Sequence, residues 1–247
     1  MSIKGPAELQ GMRAAGAVVR LVLAAMKRAV RPGVTTAELD EVGAGVMHEH
    51  GARSAPALVY QFPGANCISV NEEAVHGIPG KRVLQSGDLV KLDVTIEKDG
   101  FMADAAITVP VGKVAAENQR LADCAESAFT RAMLVARAGF RVLEIGRVIE
   151  REVRRNGFAV IRNLSGHGIG RTIHEAPCVP NYADPGANQI LTEGLVITVE
   201  PIIAAGSGES VVARDGWTVV TADRRPSAHY EHTIVITKGQ PILLTAA

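Results

Sequence analysis

A chain of 247 residues, 47% hydrophobic and 21% charged, has the composition of a folded globular protein and excludes an intrinsically disordered one. Lys plus Arg and Asp plus Glu stand at 26 each, so charge gives no case for a nucleic-acid or membrane-surface partner. The length allows one large domain or two small ones.

The start, Met1-Ser2-Ile3-Lys4-Gly5-Pro6, lacks the apolar core of a signal peptide. The apolar stretch from Ala14 to Val30 is interrupted by Arg20 and Lys27, so no bilayer span is expected. Within residues 6–30, Leu9, Met12, Val19, Val22, Leu23, Met26 and Val30 follow a helical period opened by Pro6 and closed by Pro32-Gly33. Thr35 with Glu38 forms a capping-box signature for a second helix to about Gly51. Residues 88–97 alternate as a strand, Lys98-Asp99-Gly100 turns, and 101–110 return as a second strand. Helices are expected near 115–138, stopping at Gly139, and near 142–156, stopping at Gly157. Two further strands are expected over 194–203 and 229–236. Cys67, Cys124 and Cys178 lie far apart with no C-x-x-C spacing, which points to reduced thiols in a cytoplasm.

The two halves echo one another. Arg31-Pro32-Gly33 leading to Glu38-Leu39 matches Arg137-Ala138-Gly139 leading to Glu144-Ile145, an offset of 106 residues from Gly33 to Gly139. Leu84, Gly87 and Asp93 match Leu191, Gly194 and Glu200, an offset of 107. His76-Gly77-Ile78 also echoes His167-Gly168-Ile169. Helix-ending glycines are common punctuation, yet the matching order favours an internal duplication. Duplicated helix–helix–strand units close a shared antiparallel sheet with helices on one face, an α+β fold. A pseudo-twofold axis would then put Asp93 and Glu200 at equivalent points. The expected organisation is one domain, 1–247, made of halves at about 1–112 and 113–247.

The 88–110 hairpin puts Asp93 and Asp104 on one face, because side chains alternate along a strand. With Lys98-Asp99 as the loop the two are directly opposed; with Asp99-Gly100 they are diagonal. Like charges so close need a neutralising partner, and a cation is one. Glu200 follows the apolar run Leu195–Val199, and Glu231 precedes Ile234-Val235-Ile236. A buried unpaired acid in either place costs on the order of several kcal/mol. His167, within Ser165-Gly166-His167-Gly168-Ile169-Gly170, has glycine neighbours that allow a tight backbone to present the ring. Four carboxylates and one imidazole form a hard set that suits Mn²⁺, Fe²⁺ or Co²⁺ at least as well as Zn²⁺, with charge enough for two ions. Cys124 belongs to a helix core, whereas Cys67 is read equally as cavity lining or packing.

These residues resemble the type I methionine aminopeptidases, which have the pita-bread fold. The resemblance covers nearly the whole chain. It rests on His76-Gly77-Ile78-Pro79, Leu92-Asp93-Val94-Thr95, Asp99-Gly100-Phe101 with Asp104, and Gly166-His167-Gly168-Ile169-Gly170-Arg171. It continues through His174-Glu175-Ala176-Pro177, Val199-Glu200-Pro201, Asp215-Gly216-Trp217-Thr218 and Tyr230-Glu231-His232-Thr233. It implies removal of N-terminal Met from peptides and nascent chains by a hydroxide that two divalent ions (Co, Mn, Fe or Zn) activate. Asp93, Asp104, His167, Glu200 and Glu231 would hold the metals, with Asp104 and Glu231 bridging. Glu200 would also shuttle a proton, and His76 and His174 would contact substrate.

The methionine pocket is assigned to Tyr60, Phe62, Cys67, Ile173 and Trp217. The sequence departs from the family at Leu164, at Val59-Tyr60-Gln61-Phe62-Pro63 and at Ile173, which touches substrate preference more than metal chemistry. A cytoplasmic monomer acting near the ribosome is expected, with no nucleic-acid site and no membrane association. The rival readings are an X-Pro or broader aminopeptidase, or a binding module on the same fold.

Overall fold

The computed structural model describes residues 1–246; Ala247, the last residue of the expected domain, lies outside them. The described residues form five helices: α1 (Pro6–Ala29), α2 (Thr36–Glu49), α3 (Ala55–Tyr60), α4 (Ala116–Ala132) and α5 (Val142–Arg155). Pro6 begins α1, and the Thr35–Glu38 capping box is complete in both directions at the start of α2. By length and composition α1 could cross a bilayer, contrary to the expectation from the interrupted stretch. Its apolar face is already committed, because Met12, Val19, Val22 and Met26 are fully buried in the core. α4 ends six residues before the expected stop at residue 138. Beyond Ala132 the chain tightens into i→i+3 bonds, and the Ala138 N–H donates to the Thr237 carbonyl in place of a helical partner.

A nine-stranded antiparallel sheet is the centre of the molecule. Its main path runs through Arg53–Ser54, Leu89–Lys98, Phe101–Pro110, Glu231–Val235, Val196–Val199, Ser165–Gly168 and Glu175–Pro180. Cys67–Val70 adds to the strand Leu89–Lys98, and Ile242–Leu243 adds to Glu231–Val235. Lys98 pairs with Phe101 and Thr95 with Asp104, so Asp99-Gly100 is the hairpin loop and Asp93 and Asp104 are diagonal. Leu92, Val94, Ile96, Ala103 and Ala105 join the core beneath α1 and α2, which leaves Asp93, Thr95 and Asp104 on the opposite face.

The expected strands at 194–203 and 229–236 are each broken. Val196–Val199 lies in the large sheet and Ile202–Ala204 in a three-stranded one. Likewise Ser227–His229 pairs with Ile202–Ala204, while Glu231–Val235 pairs with Val196–Val199. Both segments switch sheets at the same level. Glu200 occupies one switch and Glu231 starts the strand after the other, so the fold delivers both acids to the seam.

The apolar interior falls into two main clusters. One gathers α1, α2 and the first hairpin; the other gathers α4, α5 and the strands around Val199 and Ile234. Backbone bonds recur between them. Gly33 N–H donates to Leu84 O, and Leu84 N–H to Val34 O; Gly139 N–H donates to Leu191 O, and Leu191 N–H to Phe140 O. Thr35 bridges Val83 as Arg141 bridges Ile190.

Candidate metal centre

The side chains converge because the registers align them. Cys67 lies opposite Asp93, Asp93 opposite Ala106, and Ala106 opposite Glu231, a row across four strands. The small, buried Ala106 separates the two acids of that row. Asp104 is fixed by its backbone, whose N–H donates to Thr233 Oγ1 at 2.9 Å while that hydroxyl donates to Asp104 O at 2.8 Å. His167 and Glu200 are tied by a single hydroxyl: Thr198 Oγ1 accepts from His167 N–H at 3.0 Å and donates to Glu200 Oε1 at 2.8 Å. A Cβ at Gly168 would stand 2.2 Å from Ala176 O, so the close strand beside His167 requires glycine there.

The cluster is electrostatically unbalanced. Among the described residues none of Asp93, Asp104, Glu200 and Glu231 pairs with Lys or Arg. Burial, and then the facing charges of Glu231 and its neighbours, hold the carboxyls of Asp104 and Glu200 well above the usual range. Burial followed by Asp93 does the same to Glu231, and burial raises Asp93. Asp104 Oδ1 and Glu231 Oε1 are buried without a hydrogen-bond partner among the described residues. His167 Nδ1 lies 2.9 Å from Gly168 O and serves as its donor, which leaves the Nε2 lone pair toward Glu200 Oε1 at 3.6 Å. Burial, and then His174, lower the His167 pKa to about 4, so the ring is neutral and can ligate. A divalent cation supplies what this donor set lacks: partners for the orphaned oxygens and positive charge among the acids. The residues fit a metal.

Ligand atoms of Asp104, His167 and Glu231 lie within 4.8 Å of one another, and so do those of Glu200, His229 and Glu231. His229 did not figure among the expected residues. The signal for it was available, since it stands two positions before Glu231 and alternation turns both toward the same side. Thr198 and Thr233, which hold the ligands from behind, carry no sequence mark of that role.

A cavity of about 560 Å³ opens onto the cluster. Every expected site residue lines it: the four acids, the His167 imidazole, His76, His174, Tyr60, Phe62, Cys67, Ile173 and Trp217. Leu164 and Cys178 join them, whereas Val59 is surface-exposed and outside the lining. Phe62 and Trp217 meet edge to face at 5.3 Å. Tyr60 Oη is 2.6 Å from His174 Nδ1, a bond across 114 positions of sequence. With the phenol donating, the His174 ring proton sits on Nε2. Tyr60→Phe should therefore lower kcat about fivefold, the loss of roughly 1 kcal/mol of one hydrogen bond, with KM little changed. Steady-state kinetics on a short peptide checks this.

The model of metallopeptidase family M24 matches residues 10–238. The chain belongs to family M24. Methionine aminopeptidase 2 of Bacillus subtilis is 45% identical over 247 residues, with 99% of each chain covered. Two solved structures superpose over the full length of both chains, the methionine aminopeptidases of Rickettsia prowazekii (TM-score 0.95, 36% identity) and Thermotoga maritima (TM-score 0.95, 35% identity). This M24 chain thus has the pita-bread α+β architecture expected from its motifs, and a family of metallopeptidases accounts for a carboxylate-rich cluster at the foot of a cavity.

Proposed function

We propose that this chain removes N-terminal methionine from peptides and nascent proteins, with two divalent ions held by Asp93, Asp104, His167, Glu200 and Glu231. The observation that carries the reading is the unneutralised acid cluster opening into a cavity whose other wall is apolar and aromatic. Full-length identity of 45% to a methionine aminopeptidase supports that reading over an X-Pro enzyme or a binding module.

Bound divalent ions supply Lewis acidity and lower the pKa of water toward about 7. The chain's residues do the rest. Asp104 and Glu231, whose buried oxygens lack partners among the described residues, would hold the ions together with Asp93, His167 and Glu200. Glu200 takes a proton at a carboxylate oxygen and delivers it to the leaving amine nitrogen. His174 donates from Nε2 to the developing oxyanion, and His76 contacts the substrate near the scissile nitrogen. Tyr60, Phe62, Cys67, Ile173 and Trp217 enclose the methionine side chain, whose polarizable sulfur suits aromatic neighbours.

His174→Ala should reduce kcat by about 10²–10³ with metal content unchanged, the effect of removing one oxyanion donor. Metal analysis of the purified variant separates this from a ligand role, which would empty the site instead.

We infer a cytoplasmic monomer that meets nascent chains. Its three free thiols support a reducing compartment. One catalytic domain of two duplicated halves, about 1–112 and 113–247, is part of the same reading. The recurrence of the Gly33–Leu84 bond as Gly139–Leu191 supports it.

The test of the activity is a panel of peptides that differ only at position one, assayed with Mn²⁺ and Co²⁺ separately. Met is expected to be cleaved fastest, with measurable cleavage of norleucine and Leu. A pocket discriminates one methylene by only about 1–3 kcal/mol, and Ile173 fills less space than an aromatic ring. Faster cleavage of X-Pro or Ala peptides under both metals would overturn the methionine assignment and leave the exopeptidase reading standing.

A further inference from the structure

His229 closes the strand Ser227–His229 and is only 2% exposed, yet both of its ring nitrogens lack a hydrogen-bond partner among the described residues. A buried imidazole left this way forfeits both its donor and its acceptor capacity, a condition that folded proteins rarely tolerate without a ligand or ion to relieve it. Its surroundings are acidic. Nε2 lies 3.3 Å from Glu231 Oε2, without the alignment of a hydrogen bond, and 3.9 Å from Glu200 Oε2. A neutral imidazole carries one free lone pair. A lone pair facing two carboxylates is unfavourable unless a cation lies among them.

The two compact donor groups in the cavity have a simple relation. Asp104, His167 and Glu231 form one; Glu200, His229 and Glu231 form the other. Each holds one imidazole, and Glu231 belongs to both. The backbone makes this possible, because His229 pairs with Ile202 in the small sheet while His232 pairs with Val199 in the large one. The sheet switch between those pairs brings Glu200, His229 and Glu231 to one seam.

We propose that His229 is a second imidazole ligand of the metal centre, donating from Nε2 to an ion it shares with Glu200 and Glu231. The centre then has two nitrogen donors, His167 and His229, and the position that His229 serves is the one shared with Glu200 and Glu231. Nitrogen ligation shifts that position from Mn²⁺ toward Co²⁺, Fe²⁺ or Zn²⁺. The inference rests on the dinuclear reading above.

The experiment is Co²⁺ titration by calorimetry of the full-length protein and its His229→Leu and His229→Gln variants, with X-ray absorption to count imidazoles in each loaded sample. The wild type should bind two Co²⁺ with an average of one imidazole per ion. His229→Leu should halve that average and weaken one of the two sites on the order of tenfold or more. If the leucine variant does not fold, the Gln variant carries the test: glutamine can return an oxygen donor but not the imidazole signal. Two bound Co²⁺ with half an imidazole per ion in the wild type would overturn the role of His229 alone. Fewer than two bound Co²⁺ would overturn the dinuclear reading, and this inference with it.

Discussion

Asp104→Asn is expected to abolish dinuclear metal binding and to cut kcat/KM by at least about 10³, since a bound ion supplies several kcal/mol of transition-state stabilisation. The substitution is nearly isosteric. The main-chain bonds to Thr233 that fix Asp104 remain, so the loss should not reflect local unfolding. The metal-free protein should respond in the opposite sense. Four acids face one another with no Lys or Arg partner among the described residues, and Asn removes one of the repelling charges. Its metal-free melting temperature should therefore equal or exceed that of the wild type. Metal addition should separate the two proteins. At one hundred times Kd a ligand stabilises by about 2.7 kcal/mol, which for a chain of this size is roughly 5–11 °C. The wild type should show this rise with Co²⁺ and Asp104→Asn should not. Calorimetric melts with and without Co²⁺, alongside metal analysis, decide the matter; a variant with full metal content and activity would remove Asp104 from the centre.

Glu200→Gln should lower kcat by about 10²–10⁴, the range for loss of a positioned proton carrier. Glutamine can still accept from Thr198 Oγ1, and the Glu200 main-chain carbonyl keeps its bond from Asn181 Nδ2. Shape and anchoring thus survive while proton transfer does not. Because Glu200 also belongs to the ligand set, metal content and rate must be read on the same sample. A rate loss that persists at full metal occupancy identifies the proton role. Full activity with metal bound would eliminate that role, and a loss that excess metal restores would reduce Glu200 to a ligand.

Much of the centre is legible in the sequence, for a physical reason. Helix starts and hairpins are fixed by interactions a few residues long, and the Thr35–Glu38 capping box and the Asp99-Gly100 turn formed as their local chemistry required. Period-two alternation alone put Asp93 and Asp104 on one face, while the choice between opposed and diagonal needed the register. The repeat offset likewise pointed to Glu200 as the counterpart of Asp93. What the sequence could not decide depends on contacts between distant segments. The breaks at Glu200 and Tyr230 come from strands changing partners, and an uninterrupted apolar run gives no sign of that. The bond from Tyr60 to His174 joins α3, a helix without a periodic signature, to a loop 114 residues on. His229 read as one polar residue in a strand until the fold enclosed it among Glu200 and Glu231 with neither nitrogen satisfied. Local propensity names the donors; burial and register decide which of them share a cation.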